Sequence, residues 1–205
     1  MEFNIQSYWH IGSGAEGGAY ADALVLKDNQ QLPYLPGKSI KGLLRDAFTR
    51  AEKNQWFNFA CTGPDPAEQY SLVDLLFGNE NNDGTTNQGI LQISSAVLSS
   101  QEKNYLSQYP QAKSQLYKVT YSTAIAEETG VAKNTSLRSM EVSVPMLLTA
   151  QVAVNKTHPE FIKNQSLFSE KLDEWLAQVV IFITELGAKR HRGLGKVVVN
   201  VKQEQ

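Results

Sequence analysis

LPYLPGKSIKGLLRDAF (residues 32–48) and GAKRHRGLGKVVV (residues 187–199) are the two stretches whose reading decides the fold. In the first, Pro33 and Pro36 hold the chain in loop geometry, and a helix then starts. Ser39 is the expected N-cap, and Leu43, Leu44, Ala47 and Phe48 give the helix an apolar face. In the second, a basic loop punctuated by Gly187, Gly193 and Gly195 joins a helix to a last strand. That helix carries Phe168, Leu172, Trp175, Leu176, Val179, Ile183 and Leu186 at helical spacing, with Gly187 as its expected stop.

The segments between fill in the order. Residues 3–11 read as a first strand, 12–18 as a glycine-rich loop, 20–27 as extended, and 90–98 as a strand. Residues 115–126 and 136–154 read as extended runs around the polar tip EETGVAKNTS, a protruding hairpin over about 121–145. Residues 53–89 are an insertion poor in pattern, except for a helical piece at 72–77, and NENNDGTTNQG (79–89) reads as a surface loop. Strand, helix, strand, strand, helix, strand is the α+β, ferredoxin-like (RRM-like) plan, a βαββαβ core with insertions in one domain over residues 1–205.

Composition narrows the classes of function. Of 205 residues, 41% are hydrophobic and 20% charged, as in a soluble globular domain. No apolar run reaches membrane-spanning length, the N-terminus lacks a secretory pattern, and the lone Cys61 fits a buried thiol in a reducing cytoplasm. Net charge is −2, so any nucleic-acid contact must come from local clusters of cations.

Two such clusters exist. Lys38, Lys41 and Arg45 sit at the start of the first helix, whose free N–H groups favour a phosphate. Lys189, Arg190, His191 and Arg192 sit between glycines that let backbone N–H groups face an anion. Taken singly, each cluster is equally readable as a solvated helix start or as a basic helix end. The histidines show no metal-ligand spacing, and Trp9, Trp56 and Trp175 read as core.

Together these segments resemble the RAMP superfamily of CRISPR-associated proteins. LPYLPGKSIKGLLRDAF is similar to its P-x-I-P-G-S-S-L-K-G-x-x-R motif, and GAKRHRGLGKV to its C-terminal glycine-rich loop. YWHIGSGAEGGAYAD, LLFG, GILQISSAVL and the hairpin YSTAIAEETGVAKNTSLRSMEVSVP resemble further family segments in order. The hairpin lacks an arginine and an aspartate that relatives carry. Size and layout resemble the Csm-type backbone subunit of type III effector complexes.

The resemblance implies a subunit that polymerises with copies of itself and other effector subunits along guide RNA and cleaves bound target RNA. It implies that Lys38, Ser39, Lys41, Arg45, Lys189, Arg190, His191, Arg192, Gly193 and Gly195 hold guide phosphates. Thr129, Gly130 and Val131 would form the tip of a thumb, and Asp22 would be the catalytic aspartate. It further implies a divalent metal ion, magnesium, for cleavage, with no organic cofactor and no membrane partner. The alternatives are a non-catalytic guide-binding or filament-capping subunit, and a guide-processing endoribonuclease using His191.

Overall fold

The computed structural model describes residues 1–57, 71–80 and 86–202. Its elements in chain order are β1 (Glu2–Ile5), α1 (Gly37–Lys53), α2 (Leu72–Phe77), β2 (Gly78–Glu80), β3 (Thr86–Gln88) and β4 (Leu91–Ile93). There follow α3 (Ser100–Gln108), β5 (Tyr117–Ser122), β6 (Arg138–Ser143), β7 (Met146–Thr149), β8 (Val152–Val154), α4 (Pro159–Lys163), α5 (Gln165–Val179) and β9 (Val197–Asn200). The insertion therefore contains α2 and the β2–β3 hairpin, whose strands occupy both ends of the segment expected to be loop. Cys61 lies outside the described residues.

The central sheet runs β7–β1–β9, antiparallel throughout. Its register places Val199, Phe3 and Leu148 in one row and Val197, Ile5 and Met146 in the next. Alternation does the rest: Phe3, Ile5, Leu148, Val197 and Val199 point inward and are buried, while Asn4, Leu147 and Val198 on the other face are exposed. The inward face packs with Ile40, Leu44, Ala47 and Phe48 of α1 and Leu172, Leu176 and Val179 of α5 in one hydrophobic core. β4 pairs with β8, and Val97 bridges Thr149 at the end of β7.

Four expectations shift. The extended run 136–154 is three strands, broken first beside Pro145, which has no N–H to continue the ladder, and again at residues 150–151; β6 pairs with β5, β7 with β1 and β8 with β4. The late helix ends at Val179, not at Gly187. After a single 3₁₀ turn the β-branched run turns extended, so that Thr184, Leu186 and Glu185 pair with residues 195–197. Helix α1 starts at Gly37 with Pro36 as its cap, and Ser39 is already helical with no capping role. Trp9 and Trp175 are core, but Trp56 is 46% exposed and lies against Phe182 with ring centroids 4.8 Å apart. Helix α3 was legible but unread: Ser99 and Glu102 form a capping box at its start.

The glycine-rich loop is shaped by its backbone. Gly187, Lys189, Gly193 and Gly195 all hold positive φ, from 54° to 79°. A Cβ at Gly195 would fall 1.8 Å from the Leu186 carbonyl oxygen, whereas at Gly193 it would meet nothing within 4 Å. Gly195→Ala is therefore expected to destabilise the fold by about 3 kcal/mol. Gly193→Ala should cost about 1 kcal/mol, the left-handed backbone alone. Urea denaturation of the two variants checks the contrast.

Candidate nucleic-acid interface

The strand extension 8–10 is where the site is assembled. Tyr8 O accepts from Gly195 N at 2.8 Å and His10 O from Ala188 N at 2.9 Å, so both ends of the basic loop hang on one strand. On its other side Trp9 exchanges backbone hydrogen bonds with Ser143 of β6, at 3.1 and 2.8 Å. The buried His10 ring places Nδ1 2.7 Å from Glu141 O. The glycine loop and the β5–β6 hairpin thus share a single mount.

The loop lies beside α1. Ser39, Gly42 and Leu43 of α1 and Ile11, Gly187 and Arg190 opposite line an open groove of about 430 Å³. A Cβ on Gly42 would meet nothing within 4 Å, so this glycine leaves open space on the helix surface. Asp46 also lines the groove, its carboxylate engaged by Arg50 at 3.0 Å. The helix N-terminus is less open than the sequence suggests, because Gly37 N donates to Ser95 Oγ at 3.2 Å. A Cβ on Gly37 would strike Ile93 O at 2.4 Å, so close packing on the chain after β4 explains this glycine.

The structure separates the cations expected to act together. Ser39 and Arg190 face one groove, but Lys41 and Arg45 line a second, on another flank of α1. Arg45 lies 3.6 Å from Asp74, while Lys38, Lys41, Lys189, Arg190 and Arg192 have no ion-pair partner among the described residues. Arg190, His191 and Arg192 form one exposed 3₁₀ turn between left-handed Lys189 and Gly193. All three side chains are exposed, and no carboxylate pairs with Arg190 or Arg192 among the described residues.

Asp22 sits at the root of the hairpin, fully exposed. Its Oδ2 accepts from Ser139 N at 2.7 Å, and its own N–H donates to Ser139 O and Oγ. The backbone hydrogen bond to Ser139 is the main reason its carboxyl titrates below the ordinary range, with the Ser139 side chain and the Arg138 charge adding to it. No three His, Cys, Asp or Glu side chains come together as a cation site among the described residues. The donor set around Asp22 therefore does not fit a protein-built metal cage.

Sequence reasoning missed Glu141. Its carboxylate, 2% exposed, accepts from Lys27 Nζ at 2.9 Å, Val25 N at 3.0 Å and Tyr20 OH at 3.3 Å. Lys27 also stands 4.0 Å above the Tyr117 ring. Burial, and then the Glu141 charge, push the Tyr117 and Tyr20 hydroxyls up. The alternating run SMEVSV gave no signal, because it sets Glu141 on the polar face with Ser139 and Ser143, and only the burial of both faces of β6 makes its charge demand a partner.

The hairpin continues past its strands. Ile125 bridges Ala132, Ala126 N donates to Val131 O, and Gly130 takes φ 66° at the turn beside Thr129 and Val131. Tyr121, Ile125, Val131 and Leu137 are each more than 60% exposed along it.

The sequence profile of the RAMP superfamily matches residues 2–198. The chain belongs to the RAMP superfamily. No curated protein sequence matches it significantly. Among solved structures, this RAMP protein is similar to a chain of Type III-B Cmr-beta bound to cognate target RNA. That likeness has a TM-score of 0.64 and 12% identity, covering 97% of this chain and 95% of the other. A chain of apo Type III-B Cmr-beta gives TM-score 0.55 and 11% identity over 96% and 94%. A chain of a Type IV-B CRISPR complex gives 0.54 and 13% over 100% and 92%. At these identities the likeness is one of fold: a mixed helix-and-sheet RAMP architecture with small antiparallel sheets. No helix among the described residues is long and apolar enough to cross a membrane.

The depressed titration of Asp22 has a sign. Its ionised form is favoured by folding, so its contribution to stability is present above the unfolded value of 3.8 and is lost as pH falls through the lower folded value. Asp22→Asn should lower the urea midpoint at pH 7, and the two proteins should converge as the solution is acidified below that range.

Proposed function

We propose that this RAMP protein is a guide-RNA-binding backbone subunit of a CRISPR effector complex, built on a ferredoxin-like core. The observation that carries the reading is the groove shared by Ser39 and Arg190, bordered by loop cations that have no ion-pair partner among the described residues. Unpaired cations beside backbone bent to positive φ suit a polyphosphate chain. The order β9–β1–β7, with β4 paired to β8 beyond it, supports the ferredoxin-like core. The superfamily membership and the fold likeness to a chain of an effector complex bound to target RNA support the setting, with guide RNA, target RNA, further copies and other subunits as partners. The exposed apolar side chains of the hairpin suit a thumb that wedges between RNA strands, with Thr129, Gly130 and Val131 at its tip.

Target cleavage rests on Asp22. Its Oδ2 is fixed by Ser139, and the exposed carboxylate is oriented at the hairpin root, where a displaced nucleotide would pass. A depressed pKa makes it a weak base and a persistent anion. Its fitting role is to hold the 2′-hydroxyl of the target by hydrogen bond rather than to carry its proton far. The same strap to Ser139 favours the second reading, in which Asp22 only anchors the loop and the subunit binds guide RNA without cutting.

Two measurements decide. Arg190→Ala with Arg192→Ala should weaken assembly on every guide sequence and flatten its salt dependence by about 0.7 per lost phosphate contact. An effect confined to some guides would overturn phosphate binding. In the assembled complex, Asp22→Ala should reduce cleavage of complementary RNA by about 100-fold with guide occupancy unchanged. Undiminished cutting establishes the non-catalytic reading.

A further inference from the structure

The second groove, on the flank of α1 that carries Lys41 and Arg45, has a chemistry of its own. Its volume is about 520 Å³, within the range of small-ligand pockets. Besides the two cations, the lining is dominated by carboxamides, among them Asn79, Gln88, Gln92 and Asn155, together with the buried Phe77 and Leu91. Among the described residues no carboxylate lines it.

Three features make this wall a fixed surface. Gly78 and Gly89 lie so close to the neighbouring chain that a Cβ on either would come within 2.4 Å of a backbone oxygen. His158 Nε2 lies 3.0 Å from Gln88 O, tying β3 to the start of α4. The Asn87 and Asn79 amides are joined at 3.2 Å. By contrast, the Gln88 and Gln92 side chains are exposed and have no hydrogen-bond partner among the described residues.

A carboxamide presents a donor pair and an acceptor together, the complement of the edge of an unpaired base. A pure phosphate site would be lined by cations and N–H groups; a site for a charged peptide would carry the opposing charge. Amides and cations lining one groove match a nucleotide, base and phosphate together.

We propose that this groove binds one unpaired nucleotide of the RNA and reads its base, with Gln88 and Gln92 on the base edge and Lys41 and Arg45 on the phosphate. The inference rests on the reading of the chain as an RNA-binding subunit and adds a sequence preference to it. The backbone groove beside Arg190 is indifferent to sequence; the amide groove is not.

The test measures anisotropy of labelled A, U and C homopolymer RNAs with the purified chain. The wild-type protein should separate best from worst homopolymer by about tenfold in Kd. Combined Gln88→Ala and Gln92→Ala should shrink that spread to about twofold while leaving the weakest homopolymer unchanged. Arg190→Ala should weaken all three equally and keep the spread. A spread that survives loss of both glutamines overturns the base site and leaves RNA binding intact. Equal weakening of all homopolymers by the glutamine variant overturns it too, since the amides would then touch only the backbone. Absence of any preference in the wild type reassigns the groove to a protein neighbour. Failure to bind any RNA overturns this inference and the functional reading together.

Discussion

A buried carboxylate with three donors organises the working half of this molecule. An ionised side chain removed from water is tolerated only when its lone pairs are answered, and Glu141 is answered by an ammonium, a backbone N–H and a phenol. All three donors belong to the chain segment 20–27, which has almost no regular structure to hold it. The glutamate works beside a short backbone pairing, Asp22 N to Ser139 O and Glu141 N to Ala23 O, and together they lay this segment on β6 where Asp22 emerges. Removing Lys27 would leave the Glu141 charge stranded in the interior, whereas Lys27, with its side chain 23% exposed, still reaches water when Glu141 is lost.

From that pair the organisation spreads along hydrogen bonds rather than through bulk packing. β6 holds Trp9 and His10; the Tyr8 and His10 carbonyls hold the glycine loop; the loop and α1 line one groove. The hydrophobic core beneath, shared by the sheet, α1 and α5, supplies rigidity but not aim. Cohesion comes from apolar burial and placement from a small number of directed polar contacts, so the polar contacts govern the geometry of the site.

The sequence made the core readable because burial leaves a period. Phe3 and Ile5, the apolar face of α1 and the stripe through Trp175 all recur as the inside of the fold. What it did not make readable depended on distant partners. Residues 180–186 keep helical spacing, yet they form cross-strand bonds to 195–197 that no local window contains. The separation of Lys41 and Arg45 from the loop cations was hidden for a related reason. Ser39 lies close to both in sequence, but it lines the groove beside the glycine loop, whereas Lys41 and Arg45 line the groove bordered by the β2–β3 hairpin. Glu141 was hidden because a single letter does not announce its donors.

The glycine loop has one more consequence. Its outline is written entirely in main chain: left-handed residues, two carbonyls of the strand 8–10, and a bond from Leu186 N to Gly195 O. Its charge is written entirely in the exposed side chains of Lys189, Arg190 and Arg192. Form and charge are thus encoded by separate atoms of the same few residues. A lineage carrying this loop can retune grip on a polyanion residue by residue, toward tighter or looser holding, without renegotiating the architecture that displays it.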